Sequence, residues 1–182
     1  MHRRQLIDLL RHYIPADSHE TAHFDSMQNF LNAYPDCFER PLQVGHFTGS
    51  AWIVNKERTE ILLTLHRKLG IWIQPGGHAD GMPDLFQVAK SEAQEETGLT
   101  SIFPVHHQIF DIDIHSVPAY GPVSRHLHYD VRFLFEADES EPLSITAESI
   151  DLAWIPLHKI AKLNPEQGIK RMILKTKNLR PS

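Results

Sequence analysis

The spacing of apolar residues in the first forty positions is that of α-helices. Leucines and Tyr13 recur on one helical face up to Pro15. A second helical stretch, SHETAHFDSMQNFLNAYP, follows, with Ser18 as a candidate cap and Pro35 at its end. We therefore predict an N-terminal helical arm over residues 1–43.

From residue 44 onward the pattern becomes that of β-strands. Runs rich in β-branched and aromatic residues predict strands at VGHFTGSAWIVN, EILLTLHR and GIWIQP. A helical segment, DLFQVAKSEAQEETG, is followed by strand-like VHHQIFDIDIHSV, HLHYDVRFLFEA and LAWIPL, and PEQGIKRMILKTKN predicts a final helix. Helices and strands mix without regular βαβ spacing, so we expect an α/β (α+β) domain over residues 44–182, with a mixed sheet flanked by helices.

Composition narrows the function classes. The chain has 182 residues, 41% of them hydrophobic and 23% charged, which is typical of a soluble globular domain. Its net charge of −5 provides no basic stripe, which disfavours duplex nucleic acid as a partner. No apolar stretch approaches the length of a membrane span. The single cysteine excludes an intramolecular disulfide framework, and we expect a cytoplasmic protein.

The segment DLFQVAKSEAQEETG ends on acidic residues that need a positive partner. Glu92, Glu95 and Glu96 fall within an arc of roughly 100° at the carboxyl end of the helix, where the helix dipole disfavours negative charge. Lys90 lies on the opposite side and cannot neutralise them. Converging carboxylates of this kind are the hard oxygen ligands that Mg²⁺ or Mn²⁺ prefers. The alternative is an ordinary solvated helix end.

The loop before this helix, QPGGHADG, brings two glycines directly after a strand, which allows close backbone approach to a ligand. Loop and helix together resemble the signature of the Nudix hydrolases, G-x5-E-x7-R-E-U-x-E-E-x-G-U, where U is aliphatic. Aligned without gaps, the matching residues are Gly77, Glu92, Ala93, Glu95, Glu96, Gly98 and Leu99.

This resemblance implies an α/β/α sandwich over roughly residues 44–175 and the hydrolysis of a diphosphate linked to another moiety. It implies Mg²⁺, or Mn²⁺, as cofactor and a small phosphorylated substrate, nucleotide-derived by default. The implied metal ligands are Gly77, Glu92, Glu95 and Glu96.

The resemblance also implies a catalytic base from the signature or from a later loop. The catalytic candidates are Glu92, Glu95 and Glu148, of which Glu92 and Glu148 are the candidates for the base. Glu148 lies in a loop before a strand, where its alternative role is that of a solvated surface glutamate. Asp151 is a weaker rival.

Two positions depart from the signature, since Pro83 replaces its first glutamate and Ser91 its arginine. Asp84, one residue late, is either a substitute acid or the helix N-cap. These departures keep open a non-catalytic module that binds a nucleotide for regulation. The isoprenoid diphosphate isomerase branch, which uses a catalytic cysteine, is disfavoured because Cys37 lies in the arm.

Thirteen histidines invite a zinc hypothesis, but their spacing along the chain does not support one. His126, His128 and Arg132 share the polar face of one predicted strand and are candidates for substrate binding, unless that face is simply solvated. His78, inside the glycine loop, is a further candidate.

Substrate specificity in the family resides outside the signature, which here points to residues 1–43 and SVPAYGPVSR. Neither segment indicates a base or a sugar. The arm also allows a homodimer.

Overall fold

The computed structural model describes residues 2–119, 121 and 123–179. The elements follow the chain as α1 (Arg4–Arg11), α2 (Ser18–Ala33), β1 (Gly45–Val54), β2 (Glu60–His66), β3 (Trp72–Ile73), β4 (Gly76–His78), α3 (Leu85–Thr97), β5 (Ile102–Val117), β6 (His126–Ala137), β7 (Ser149–Pro156), α4 (Leu157–Leu163) and α5 (Gln167–Lys177). Within these described ranges, no helix is long and apolar enough to cross a membrane. The predicted specificity segment SVPAYGPVSR lies partly outside the description, at Tyr120 and Pro122.

One mixed sheet organises the domain. Its strands lie in the order β3-β2-β1-β6-β5, with β4 paired to β1 and β7 paired to β2. Strands β1 and β6 run parallel, whereas the other pairs are antiparallel. The predicted α/β architecture with a mixed sheet is confirmed.

Each face of the sheet packs against helices because side chains of β1 alternate between two cores. Phe47 and Ile53 point into a core shared with α1, α2 and α3. Trp52 and Val54 point into a second core, shared with α4 and α5. The result is a three-layer α/β/α sandwich, as the sequence resemblance implies.

The arm packs on the first of these cores. The ring of Phe30 stacks on that of Tyr129 in β6, with centroids 3.9 Å apart and planes 3° from parallel. Leu6 and Leu10 of α1 are buried in the same cluster. A charged contact adds to the apolar ones, since the Lys175 ammonium in α5 donates to Oε1 of the buried Glu20 at 2.7 Å. The arm is therefore attached from both sides of the sheet.

Several element boundaries differ from those predicted. Asp17, not Ser18, caps α2: it has extended backbone and its carboxylate accepts from the Glu20 amide. Strands β4 and β5 also differ. The three residues of β4 are held by pairing with β1 and carry no strand propensity of their own, and β5 begins three residues early because Ile102 pairs with Ala137. Helix α4, directly after β7, was not predicted.

Candidate active site

Helix α3 carries the acidic signature residues and begins and ends where the sequence predicts. The carboxylate of Asp84 accepts from the Gln87 amide at 3.1 Å, which makes Asp84 the N-cap. Gly98 adopts a left-handed conformation (φ 75°) that ends the helix. The Asp84 carboxylate is thus engaged by the helix it caps, and Pro83 directly precedes it.

The glycine turn meets the last turns of α3. Strand β4 pairs with β1, with Gly76 opposite Ser50 and Gly77 opposite Gly49. The Gly76 amide donates to Oε1 of Glu96 at 2.9 Å. A Cβ on Gly77 would lie 2.3 Å from the carboxyl carbon of Glu92, so a side chain there would collide with that carboxylate. Two of the predicted ligands, Glu92 and Glu96, therefore converge on the turn that contains the third, Gly77.

These two carboxylates are partly withdrawn from water, and neither forms an ion pair with a basic side chain in the part of the chain that the structure describes. The pKa of Glu96 is raised to about 7, mainly by burial and also by the charges of Glu92 and Glu148, while the hydrogen bond from the Gly76 amide opposes the rise. The pKa of Glu92 is also raised, mainly by burial and then by the neighbouring charges of Glu95 and Glu148. Arg40 opposes the rise at Glu92 without cancelling it. The region is one in which a cation would be strongly favoured.

The other two predicted acids lie at the rim. Glu95 and Glu148 are both exposed. Glu148 is in the loop before β7, where its carbonyl accepts from the Arg67 amide at 2.9 Å. Its charge contributes to the raised pKa of both Glu92 and Glu96. Asp151 differs, since its carboxylate accepts from the adjacent Leu152 amide at 2.8 Å.

The donor set suits a hard divalent cation. Carboxylate oxygens of Glu92 and Glu96 and the carbonyl of Gly77 are the ligand type of Mg²⁺, which is commonly held by one or two carboxylates and completed by water. Glu92 lies against Gly77 only because that residue has no side chain. The residues present therefore fit the ion that the resemblance implies.

Arg132, predicted to contact substrate, lies in a buried ion-pair network. Its guanidinium is 4% exposed and donates from Nε to Asp130 at 2.8 Å, from Nη1 to Asp111 at 3.1 Å and from Nη2 to Asp113 at 3.1 Å. Asp130 in turn accepts from the hydroxyl of Ser50 at 2.7 Å. All three nitrogens of this guanidinium are thus occupied, which favours a structural role over phosphate recognition.

The remaining predicted substrate residues lie in a histidine cluster formed by the beginning of β6 and by β4. The cluster centres on His46 of β1, which was not among the predicted residues. Its ring contacts those of His78 of β4 and of His126 and His128 of β6. Burial and the neighbouring imidazoles lower the pKa of His46 to about 4 and that of His128 to about 2. These two rings are neutral at pH 7.

The structure brings together histidines that are far apart in the chain, which their spacing did not indicate. Among the described residues, one trio of histidine, cysteine, aspartate or glutamate has ligand atoms within 4.8 Å of one another, and it is His46, His78 and His128. The sequence contained a signal for His46, because it shares the polar face of β1 with Thr48 and Ser50 at every second position. The pairing of β1 with β6 could not be read from the chain.

The cysteine of the alternative isomerase mechanism is inert here. Cys37 follows α2 and is completely buried. Burial raises the pKa of its thiol to about 11, which disfavours the nucleophilic thiolate.

Comparison with known proteins agrees with this architecture. A family model described as the NUDIX domain matches residues 46–175. No curated protein sequence matches the chain.

Solved structures share the fold at low sequence identity. An Ap4A hydrolase from C. elegans has a TM-score of 0.53 at 17% identity, covering 72% of this chain and 94% of its own. The dihydroneopterin triphosphate pyrophosphohydrolase of E. coli has a TM-score of 0.54 at 15% sequence identity, and the match covers 70% of this chain and 91% of the E. coli chain. A MutT protein from Methanosarcina mazei Go1 has a TM-score of 0.52 at 20% sequence identity, and the match covers 75% of this chain and 95% of the MutT chain. Since the family model spans most of the chain, the protein belongs to the Nudix hydrolase family.

Proposed function

We propose that this Nudix hydrolase cleaves a pyrophosphate bond in a nucleoside diphosphate linked to another moiety, with Mg²⁺, or Mn²⁺ in its place, as cofactor. The observation that carries the proposal is the convergence of Glu92 and Glu96 on the Gly76–Gly77 turn, with a raised pKa at both carboxyls. A divalent ion removes this electrostatic cost and prefers these oxygens. The names of two structural neighbours, an Ap4A hydrolase and a dihydroneopterin triphosphate pyrophosphohydrolase, support the reaction class.

The proposed ligands are Glu92, Glu96, the Gly77 carbonyl and, from the rim, Glu95. When bound, Mg²⁺ supplies positive charge for phosphate oxygens and makes water more acidic. The Gly76 amide holds the Glu96 carboxylate in one orientation at 2.9 Å, so this ligand is positioned before substrate arrives.

Two residues remain candidates for the base that accepts the proton of the attacking water. Glu92 is half-buried with a raised pKa, which brings it nearer to the working range of a general base. Glu148 is exposed in the loop before β7, and its charge acts on the carboxyl groups of both Glu92 and Glu96. A comparison of Glu92→Gln with Glu148→Gln separates them. The variant that lacks the base should lose the acidic limb of the pH–rate profile, whereas a variant that lacks only a metal ligand should mainly lose metal affinity.

The substrate-contacting residues that we propose are His78, His126 and His128. His78 directly follows Gly77, its ring lies 4.9 Å from that of His128, and the rings of His126 and His128 are 5.2 Å apart. Arg132 was also predicted to bind substrate, but its ion pairs with three aspartates support a positioning role. A cytoplasmic location is part of the proposal and fits the single cysteine. The helical arm of residues 1–43 is proposed to shape the substrate end of the domain.

The test is a panel of nucleotides, sugar nucleotides and dinucleotides incubated with purified protein and Mg²⁺. We expect release of a nucleoside monophosphate or phosphate from at least one compound, and loss of that release in Glu96→Gln. The departures at Pro83 and Ser91 favour a second candidate, a nucleotide-binding module without turnover. Tight binding of a panel compound without product release would replace the enzymatic proposal with this one.

A further inference from the structure

Three histidines from three different strands form a nearly equilateral triangle. Ring centroids of His46 and His78 are 5.0 Å apart, those of His46 and His128 are 4.9 Å apart, and those of His78 and His128 are 4.9 Å apart. Strand pairing fixes this arrangement, since His46 lies opposite His128 between β1 and β6, and His78 lies opposite Thr48 between β4 and β1. The triangle is a product of the sheet and not of a mobile loop.

The nitrogens of this triangle need partners. His46 is 1% exposed, and neither of its ring nitrogens has a hydrogen-bond partner among the described residues. Nε2 of His128 is buried and unpartnered in the same way. A buried polar atom without a partner costs free energy, and such atoms in folded proteins are almost always satisfied by protein, water or an ion. The ligand atoms of the three rings lie within 4.8 Å of one another, so one ion can reach all of them.

We propose that His46, His78 and His128 (the histidine triangle) bind a divalent transition ion of the zinc class, at a site separate from the carboxylates of α3. Imidazole nitrogen is a preferred ligand of Zn²⁺ and related ions, whereas Mg²⁺ selects oxygen. Three histidines leave one tetrahedral position for water or an anionic group. This proposal goes beyond the hydrolase function and does not depend on it. When the ion is bound, His78 and His128 are its ligands and any contact of theirs with substrate passes through the ion.

The geometry sets a requirement. Zinc–nitrogen bonds of about 2.0–2.1 Å place tetrahedral ligand nitrogens about 3.4 Å apart. The rings, now within 4.8 Å, therefore close by up to about 1.4 Å when the ion binds, a movement that side-chain rotation can supply. The ion would then tie β4 to β1 and β6, and β4 is the strand that carries the Gly76–Gly77 turn.

The experiment uses the full chain and three probes: Co²⁺, Zn²⁺ and Mg²⁺. We expect one equivalent of Co²⁺ to give the visible absorption of a tetrahedral nitrogen-rich site and Zn²⁺ to displace it. Excess Mg²⁺ should leave the band unchanged, because imidazole is a poor ligand for it. Zn²⁺ should also raise Tm, which provides a readout that is independent of activity.

Variants assign the site. His128→Gln and His78→Gln should each weaken Zn²⁺ binding by at least about 100-fold, since even outer-shell changes cost 10–100-fold. His46→Gln should weaken Zn²⁺ binding by the same factor. If His46→Gln fails to fold, the variants at His78 and His128, which are less buried, still test the proposal. His158→Gln, on the exposed surface of α4, is the matched control and should bind as wild type. Glu92→Gln and Glu96→Gln should retain the Co²⁺ band.

Three results would each overturn the proposal. The first is a wild-type protein that gives no Co²⁺ band and no Zn²⁺-dependent rise in Tm. The second is a band that disappears in Glu96→Gln but persists in His128→Gln, which would place the ion among the carboxylates. The third is binding lost in His19→Gln instead, since the rings of His19 and His23 on α2 lie 4.3 Å apart.

Discussion

The backbone amide of Gly76 donates a hydrogen bond of 2.9 Å to Oε1 of Glu96, which joins the glycine turn to the end of helix α3. Because of this bond, the structural role of the Glu96 side chain can be tested separately from the role of its negative charge. A glutamine at the position keeps an oxygen that can accept from Gly76 but removes the negative charge. The substitution is therefore a clean probe of charge.

Glu96→Gln should reduce kcat by about 10²–10³, the usual cost of removing one electrostatic contact from a catalytic site. Tm should stay the same or rise, because the substitution also removes a partly buried charge that repels Glu92 and Glu148. Turnover of the best panel substrate and a thermal melt measure the two effects. Glu57→Gln, exposed in the β1–β2 turn, is the control and should match wild type in both. Full activity in Glu96→Gln would exclude its carboxylate from the reaction.

Divalent-ion binding should depend on pH around the pKa of Glu96. Burial, with a contribution from the charges of Glu92 and Glu148, raises this pKa to about 7 against the opposing effect of the hydrogen bond from the Gly76 amide. A proton and a cation compete for the carboxylate, so Mn²⁺ affinity should fall about tenfold for each pH unit below 7 and level off above it. Titration of free Mn²⁺ by electron paramagnetic resonance between about pH 5 and about pH 9, roughly two units on either side of that pKa, measures the profile. A profile that is flat across this range, or that is unchanged in Glu96→Gln, would contradict the assignment.

Gly77→Ala should impair ion binding more than folding. The new Cβ would lie 2.3 Å from the carboxyl carbon of Glu92, which must move away. That carboxyl is the end of a flexible side chain, so the fold can adapt, but a displacement of about 1 Å in a catalytic group can cost 10²-fold in rate. We expect a large loss of kcat and Mn²⁺ affinity with Tm nearly unchanged. A variant that unfolds would instead show that the turn tolerates no side chain.

Local signals in the sequence were sufficient to locate helix α3 and its acidic residues. Asp84 as cap, Gly98 at the end and the spacing of Glu92 and Glu96 are properties of a single continuous segment. Strand β6 was likewise predicted over residues 126–137, because polar and apolar residues alternate from His126 to Phe133 and an apolar run follows. Such features depend on neighbours within a few residues, which a sequence displays directly.

Features that depend on strand pairing could not be predicted. His46 and His128 are 82 residues apart in number and meet only because β1 and β6 pair in parallel at that register. The engagement of Arg132 by Asp111 and Asp113 has the same origin, since these aspartates lie on the neighbouring strand β5. A polar strand face therefore shows that residues share a side, but not whether they meet solvent, substrate or one another.

The buried network around Asp111 should control the stability of the whole chain. Asp111 is fully buried and accepts from Arg171 at 2.8 Å, from Lys175 at 2.8 Å and from Arg132 at 3.1 Å. Burial alone would raise the pKa of Asp111, but the hydrogen bond from Arg171 and the surrounding cations outweigh it and the pKa is lowered. Its stabilising charge is thus present above the ordinary aspartate range and is lost on acidification.

Asp111→Asn leaves the cations of this network short of one negative charge in a fully buried site. We expect the free energy of unfolding in urea to fall by about 3–5 kcal/mol, the cost of leaving a buried charge uncompensated. Asp25→Asn, exposed on α2, is the control and should change it by less than about 0.5 kcal/mol. Because Lys175 also contacts Glu20 in the arm, the variant should expose the arm to limited proteolysis before the rest of the chain. A loss below about 1 kcal/mol with an unchanged arm would show that the arm is held by apolar contacts such as Phe30 on Tyr129, and that the network is not needed for its attachment.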